Sequence, residues 1–176
     1  SSNTSRLPEG AIKVTYEVKS VSLNASRNPV MVFRWLQNGT PVAINDFATA
    51  SVNPATGQKE MWDNFMGSPS AYFVWAEPQD GVAKPASFNK SASAYLRNVW
   101  NGTVAATTAT LAAGSGADAG YYVATLTGTT IPTSAVMLTG GMGYSYNVSS
   151  TLPLTQTNVA GYPVPDGSGL ANPSAK

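Results

Sequence analysis

The chain has 176 residues, enough for one domain with a sizeable core, and 43% of them are hydrophobic. Charged residues are only 11% and the formal net charge is +1, with the ten basic residues scattered singly, so there is no electrostatic footprint for nucleic acid. With no cysteine and no histidine, the composition excludes disulfides, thiol and Ser-His-Asp catalysis, covalent haem attachment within this segment and nearly every zinc site.

The opening "SSNTSRLPEG" carries no signal-peptide pattern, and residues 1–9 read as a disordered lead, with any targeting segment expected upstream. "AIKVTYEVKSVSL" alternates Ile12, Val14, Tyr16 and Val18 against Lys13, Thr15, Glu17 and Lys19, the period of a half-buried strand. Asn28-Pro29 breaks it. "VMVFRWLQNGTPVAI" follows, with Val30, Val32 and Arg34 on one side and Met31, Phe33 and Trp35 on the other. Both sides are apolar, which predicts a central strand covered twice. Asn38-Gly39 supplies the positive φ angles of a type I′ hairpin, and Pro41 to Ile44 returns along the edge.

"NPATGQ" reads as a loop, and "MWDNFMG" as a short strand or a helical turn. "SAYFVWAE" is a strong strand closed by Pro78. "SASAYLRNVWNG" is ambiguous and is the one candidate helix: Tyr95, Leu96, Val99 and Trp100 fit a helical stripe, with Asn101-Gly102 as a stop. "TVAATTATLAAG", "GYYVATLTG", "SAVMLTG" and "GMGYSYNVSS" read as further short strands. The expectation is an all-β domain over residues 10–163: a split Greek-key β-barrel or sandwich of about seven to nine strands with at most one short helix. Residues 164–176, rich in Pro, Gly and Ser, read as a linker toward a further C-terminal region.

Few residues invite chemistry. Glu60 and Asp63, beside Met61, Trp62 and Phe65, could make a carboxylate pair on a sugar platform. A polar loop with aromatics plugging the core is the simpler account, since no spacing marks this pair among the nine acids. The four tryptophans and several tyrosines could likewise form a carbohydrate face, but most sit within apolar strands. No run has the ligand spacing of a calcium loop, so no metal site is expected. The Asn-x-Ser/Thr sequons at Asn24, Asn38, Asn89, Asn101 and Asn147 matter only in a glycosylating host.

"DAGYYVA" carries more. Asp118, Gly120 and Tyr122 match the D-x-G-x-Y-x-C signature of immunoglobulin-like domains, with Ala124 at the cysteine position and Trp35 where the strand C tryptophan would be. The phenol of such a tyrosine hydrogen-bonds back to the chain at a strand corner, a structural role. An immunoglobulin-like adhesion module is therefore an alternative. The 83 residues from Trp35 to Asp118 are about twice what that fold allows, which argues for a convergent β corner.

Several stretches, in order, carry a more specific likeness: "KVTYEVKSVSLNASRNPVMVFRWLQNGTPVAINDF", "GSPSAYFVWAEPQDGVAKPASFN", "SASAYLRNVWNG", "GYYVATLTGTTIPTSAVMLTGGMGYSY" and "LPLTQTNVAGYP". Over residues 10–163 the chain resembles the amino-terminal non-haem β domain of bacterial outer-surface decahaem cytochromes, the MtrC- and OmcA-like proteins. The resemblance implies a Greek-key β domain packed beside haem domains of the same polypeptide, on the extracellular face of the outer membrane. It implies as partner a porin-cytochrome conduit, and electron transfer to external acceptors such as metal oxides. The family's chemistry rests on CxxCH motifs, which this segment lacks, so no catalytic or cofactor-binding residue carries over. The c-type haem is expected elsewhere in the full-length protein.

The function expected from this is non-catalytic spacing and docking, with Trp35, Asn38, Gly39, Asp118, Gly120 and Tyr122 in structural roles. Met142, Tyr144, Tyr146 and Leu154 are the expected interface toward a haem domain. Docking of flavin or mineral on Ser/Thr-rich loops has no residue that marks it. A carbohydrate-binding β-sandwich remains the other alternative.

Overall fold

The computed structural model describes residues 14–63, 68–143 and 160–163. The chain enters as β1 (Val14–Leu23) and folds back as β2 (Pro29–Gln37), which turns through Asn38-Gly39 into the brief β3 (Thr40–Pro41). A small hairpin of β4 (Val52–Asn53) and β5 (Gln58–Lys59) follows, and then β6 (Ser70–Ala76) pairs with β7 (Lys90–Tyr95). One helical turn, α1 (Leu96–Trp100), leads back to β8 (Thr110–Ala113) and β9 (Tyr122–Thr125). β10 (Met137–Gly143) and β11 (Ala160–Pro163) close the order. The first sheet runs β1-β2-β9-β8 with β3 beside β2, and the second runs β11-β10-β6-β7, every pairing antiparallel.

The chain thus crosses between the sheets three times, and β1 also runs close to β10 and β11. This is an all-β sandwich with one short helix. Among the described residues the sheets do not close into a barrel, so of the two architectures expected the sandwich is the one observed. Among the described residues eight strands have four or more residues and three have two.

Period-two patterning explains the packing. Met31, Phe33 and Trp35 of β2 are fully buried, and Ala71, Phe73 and Trp75 of β6 face them in one cluster with Leu138 and Met142 of β10. Each large side chain so buried contributes about 1.5–3 kcal/mol relative to exposure. On β1, Val14, Tyr16 and Val18 point inward, then Val21 three positions on. A two-residue period cannot do that without a bulge, and the ladder to β2 skips Lys19, pairing Val18 with Phe33 and Ser20 with Val32. The bulge keeps Val21 in the core and lifts Lys19 out of the ladder. Its ammonium lies 2.9 Å from Asp118 Oδ1 and 4.8 Å from the Tyr121 ring centroid. Arg34 stands over the same ring at 4.8 Å and is paired to Glu17, a bond that holds its guanidinium pKa above the ordinary value. β2 is thus central, and among the described residues Lys19, Arg34 and the loop residue Tyr121, rather than a third layer, gather on its outer face.

The β1–β2 turn grips the segment before β10. Asn28, 7% exposed, donates from Nδ2 to Thr129 O at 2.8 Å, while Arg27 Nη2 donates to Pro132 O at 3.0 Å. Arg27 takes φ 61° to do so. Asn24 Oδ1 accepts the Ser26 and Asn28 amides, so this sequon asparagine organises the turn.

Two expected strands merge. "SAVMLTG" and "GMGYSY" were separable by Gly140-Gly141, yet β10 runs through both glycines. "SASAYLRNVWNG" divides instead: residues 90–95 are strand and 96–100 helix, with Leu96 buried and Gly102 at φ 79° after the helix. "NPATGQ" is the loop of the β4–β5 hairpin, its Asn53 Oδ1 accepting the Ala55 amide at 2.9 Å. "MWDNFMG" is a bend at residues 61–63, and Asn64, Phe65, Met66 and Gly67 lie outside the described residues.

Candidate functional site

Asn38 and Gly39 take φ 51° and 84°, the two positive angles of a type I′ turn, with Gln37 paired to Thr40. Trp35, 1% exposed, donates its indole N–H to Met142 Sδ at 3.0 Å and lies 4.7 Å from the Trp62 ring. Met142 is therefore not an interface residue. It stands on the inward side of β10, 0% exposed, and its sulfur faces the indole across the core. Tyr144, Tyr146 and Leu154 lie outside the described residues.

Asp118 ends a 3-10 turn (Gly116–Asp118) in the β8–β9 loop, and Gly120 follows at φ 86°. Tyr122 begins β9, and its phenol oxygen accepts the Ile44 amide at 2.7 Å. In immunoglobulin domains the corresponding hydroxyl bonds a few residues upstream. Here it reaches 78 residues back and ties β9 to the chain leaving β3. Tyr122→Phe leaves that part-buried amide without its acceptor, and a loss of about 1 kcal/mol is expected. A urea midpoint together with faster exchange of the Ile44 amide checks this, and an unchanged Ile44 exchange rate would show the bond to be dispensable.

Glu60 and Asp63 do not act as a pair. Glu60, 6% exposed, accepts Asn53 Nδ2 at 2.6 Å, whereas exposed Asp63 accepts Asn45 Nδ2 at 3.2 Å. Asn45 also donates to the Glu60 carbonyl at 3.0 Å, so both carboxylates brace the 45–63 loops. Trp62 and Met61 are core residues, as is Trp75, whose indole donates to Glu77 at 3.0 Å. No group of three Asp or Glu among the described residues could hold a metal ion.

The concave surface lies elsewhere. Trp100, on α1, is fixed by its indole N–H, which donates to Asn45 O at 2.7 Å. Phe47 meets it edge-on, with centroids 5.0 Å apart and the planes at 73°. This aromatic ridge divides two clefts. One, of about 430 Å³, is lined by Ile44, Asp46, Leu111 and Tyr122. The other, of about 490 Å³, is lined by Val52, Lys59, Arg97, Asn101 and Thr103. The turn at 46–50 presents Phe47, since Asp46 O accepts the Thr49 and Ala50 amides. Sequence reasoning passed over Phe47; the signal was a lone aromatic in the polar turn "NDFATA".

A second exposed feature is flat. Tyr72 and Tyr95 are 48% and 40% exposed, and the ladder pairs Tyr72 with Ser93 and Ser70 with Tyr95, so the rings are diagonal neighbours on the outer face of the second sheet.

No family model matches the chain, and no curated protein matches it. Among solved structures the chain is similar to the crystal structure of MtrC from Shewanella baltica OS185, with a TM-score of 0.34 and 10% sequence identity. The match covers 93% of this chain and 24% of that one, so the chain spans about a quarter of the solved protein's length. No helix among the described residues is long and apolar enough to cross a membrane.

Proposed function

We propose that the chain is a non-catalytic accessory domain of an extracellular multihaem cytochrome, a spacing and docking module held beside haem-bearing regions of the same polypeptide. On this reading it lies on the outer face of a bacterial outer membrane, near a porin-cytochrome conduit that hands electrons to external acceptors such as metal oxides. The supporting observation is the ordered likeness over residues 10–163, whose quoted stretches carry, among the described residues, β1 to β3, β6, β7 with α1, β9 with β10, and β11. A segment without Cys or His contributes no c-type haem. The side chains best suited to chemistry, Glu60, Asp63 and Asp118, accept hydrogen bonds from Asn53, Asn45 and Lys19. What such a domain offers its neighbours is shape and a weakly charged surface.

A test uses the native polypeptide. An antibody raised against this domain should detect a denatured band that keeps a covalent haem signal, and a haem-free antigen would count against the reading. A carbohydrate-binding sandwich is the second reading, favoured by the exposed Tyr72 and Tyr95 on a face that carries Ser91, Ser93 and Gly141 beside them.

A further inference from the structure

The cleft between the Phe47–Trp100 ridge and the β4–β5 hairpin combines features that the folding account does not require. Lys59 and Arg97 both line it, and no Asp or Glu does. Lys59 Nζ donates to Phe47 O at 2.7 Å and sits 4.6 Å from the Phe47 centroid. Arg97 Nη2 donates to Gln58 Oε1 at 2.6 Å and Lys59 O at 3.2 Å. All of these acceptors are neutral. The ion pairs among the described residues, Lys19–Asp118 and Arg34–Glu17, lie on the first sheet's outer face, and neither includes Lys59 or Arg97. Both Arg97 bonds use Nη2, which leaves the Nη1 N–H groups for one oxygen of a carboxylate, while Lys59 Nζ, with one of its three donors on Phe47 O, can meet the other.

The wall beside these charges is apolar and aromatic. Phe47 is 38% exposed and Val52 53% exposed, while the bond from Trp100 to Asn45 fixes the ridge in place. Asp46 lines the neighbouring cleft, across the ridge. A compact inorganic anion would use the cations and waste the wall, and a neutral aromatic would do the reverse. A planar molecule with a carboxylate on its rim meets both.

We propose that this cleft, formed by Phe47, Lys59, Arg97 and Trp100, is a binding site for small aromatic carboxylates, with the ring against Phe47 and Trp100 and the carboxylate between Lys59 and Arg97. The site is independent of which polypeptide the domain serves. A charge-assisted, two-pronged contact gives about ten-fold or more in affinity over a neutral analogue of the same shape.

The test is titration of the whole chain with 2-naphthoate, 2-naphthalenemethanol and sulfate. It is read by indole fluorescence and by the Trp100 indole N–H resonance, assigned with Trp100→Phe. Naphthoate should saturate at least about ten-fold below the alcohol and below sulfate, and should shift the Trp100 resonance. Arg97→Gln should remove that preference. Phe47→Ala, at an exposed ring that leaves both cations in place, should weaken naphthoate while sparing sulfate. Three results would overturn the proposal: equal binding of naphthoate and the alcohol, an unmoved Trp100 resonance, or no saturable signal at millimolar concentration.

Discussion

Trp35→Ala lowers the unfolding free energy by about 3–5 kcal/mol, a large part of the ~5–15 kcal/mol that holds such a domain. The indole is 1% exposed and touches three separate parts of the fold. Phe33 lies 5.6 Å away on the same strand, Trp62 4.7 Å away in the 60–63 segment, and Met142 Sδ 3.0 Å away on the opposite sheet. Alanine leaves a cavity between two sheets that meet over rigid strands, where collapse is limited. Trp35→Phe keeps most of the apolar contact and loses the N–H donor, so about half of that effect is expected. Urea unfolding with an unchanged m-value would measure both. A loss under about 1 kcal/mol for alanine would show that the sheets do not depend on this contact.

The second large effect is of opposite chemistry. Gly140 is buried on the inward side of β10, between Leu138 and Met142, and is paired to Phe73. A Cβ there would stand 2.9 Å from Tyr72 O, 3.0 Å from Val21 Cγ2 and 3.1 Å from Met31 Cε. The carbonyl belongs to the neighbouring strand's backbone and cannot swing aside. Gly140→Val is expected to destabilise by about 3 kcal/mol and Gly140→Ala by about 1–2 kcal/mol. Ordinarily alanine is better than glycine inside a strand by about 0.5–1 kcal/mol, so the sign of the alanine result is the discriminating reading. A stabilised Gly140→Ala would show that the sheets are further apart than this packing requires.

Gly140 also marks the boundary of what the amino-acid sequence discloses. A Gly-Gly pair reads as a turn because glycine is the usual residue for positive φ. In β10 it answers close approach between layers, a demand that arises only once Val21 and Met31 are placed. The Asn38-Gly39 turn was legible because its cause is local. The bulge at Lys19 was legible in principle, since Val18 and Val21 are spaced by three in an otherwise alternating strand. "SASAYLRNVWNG" resisted assignment because it is two elements: Ala92 and Ala94 pack inward from a strand, and Leu96 fills the core from a helical turn. Met142 illustrates the limit of arguing from residue type. An apolar residue near the expected end of a domain suits an interface, but its position on β10 decides which way it points. The cleft was the least visible feature, because Phe47, Lys59, Arg97 and Trp100 come together from a turn, a short strand and a helix.

The central claim, that this sandwich is the haem-free part of a multihaem surface cytochrome, is tested most directly by reading the gene's open reading frame on both sides of the segment. The account predicts several CxxCH motifs with additional histidines in the same frame. A frame without them would contradict it, and would move the weight to the carbohydrate reading and the exposed face of Tyr72 and Tyr95.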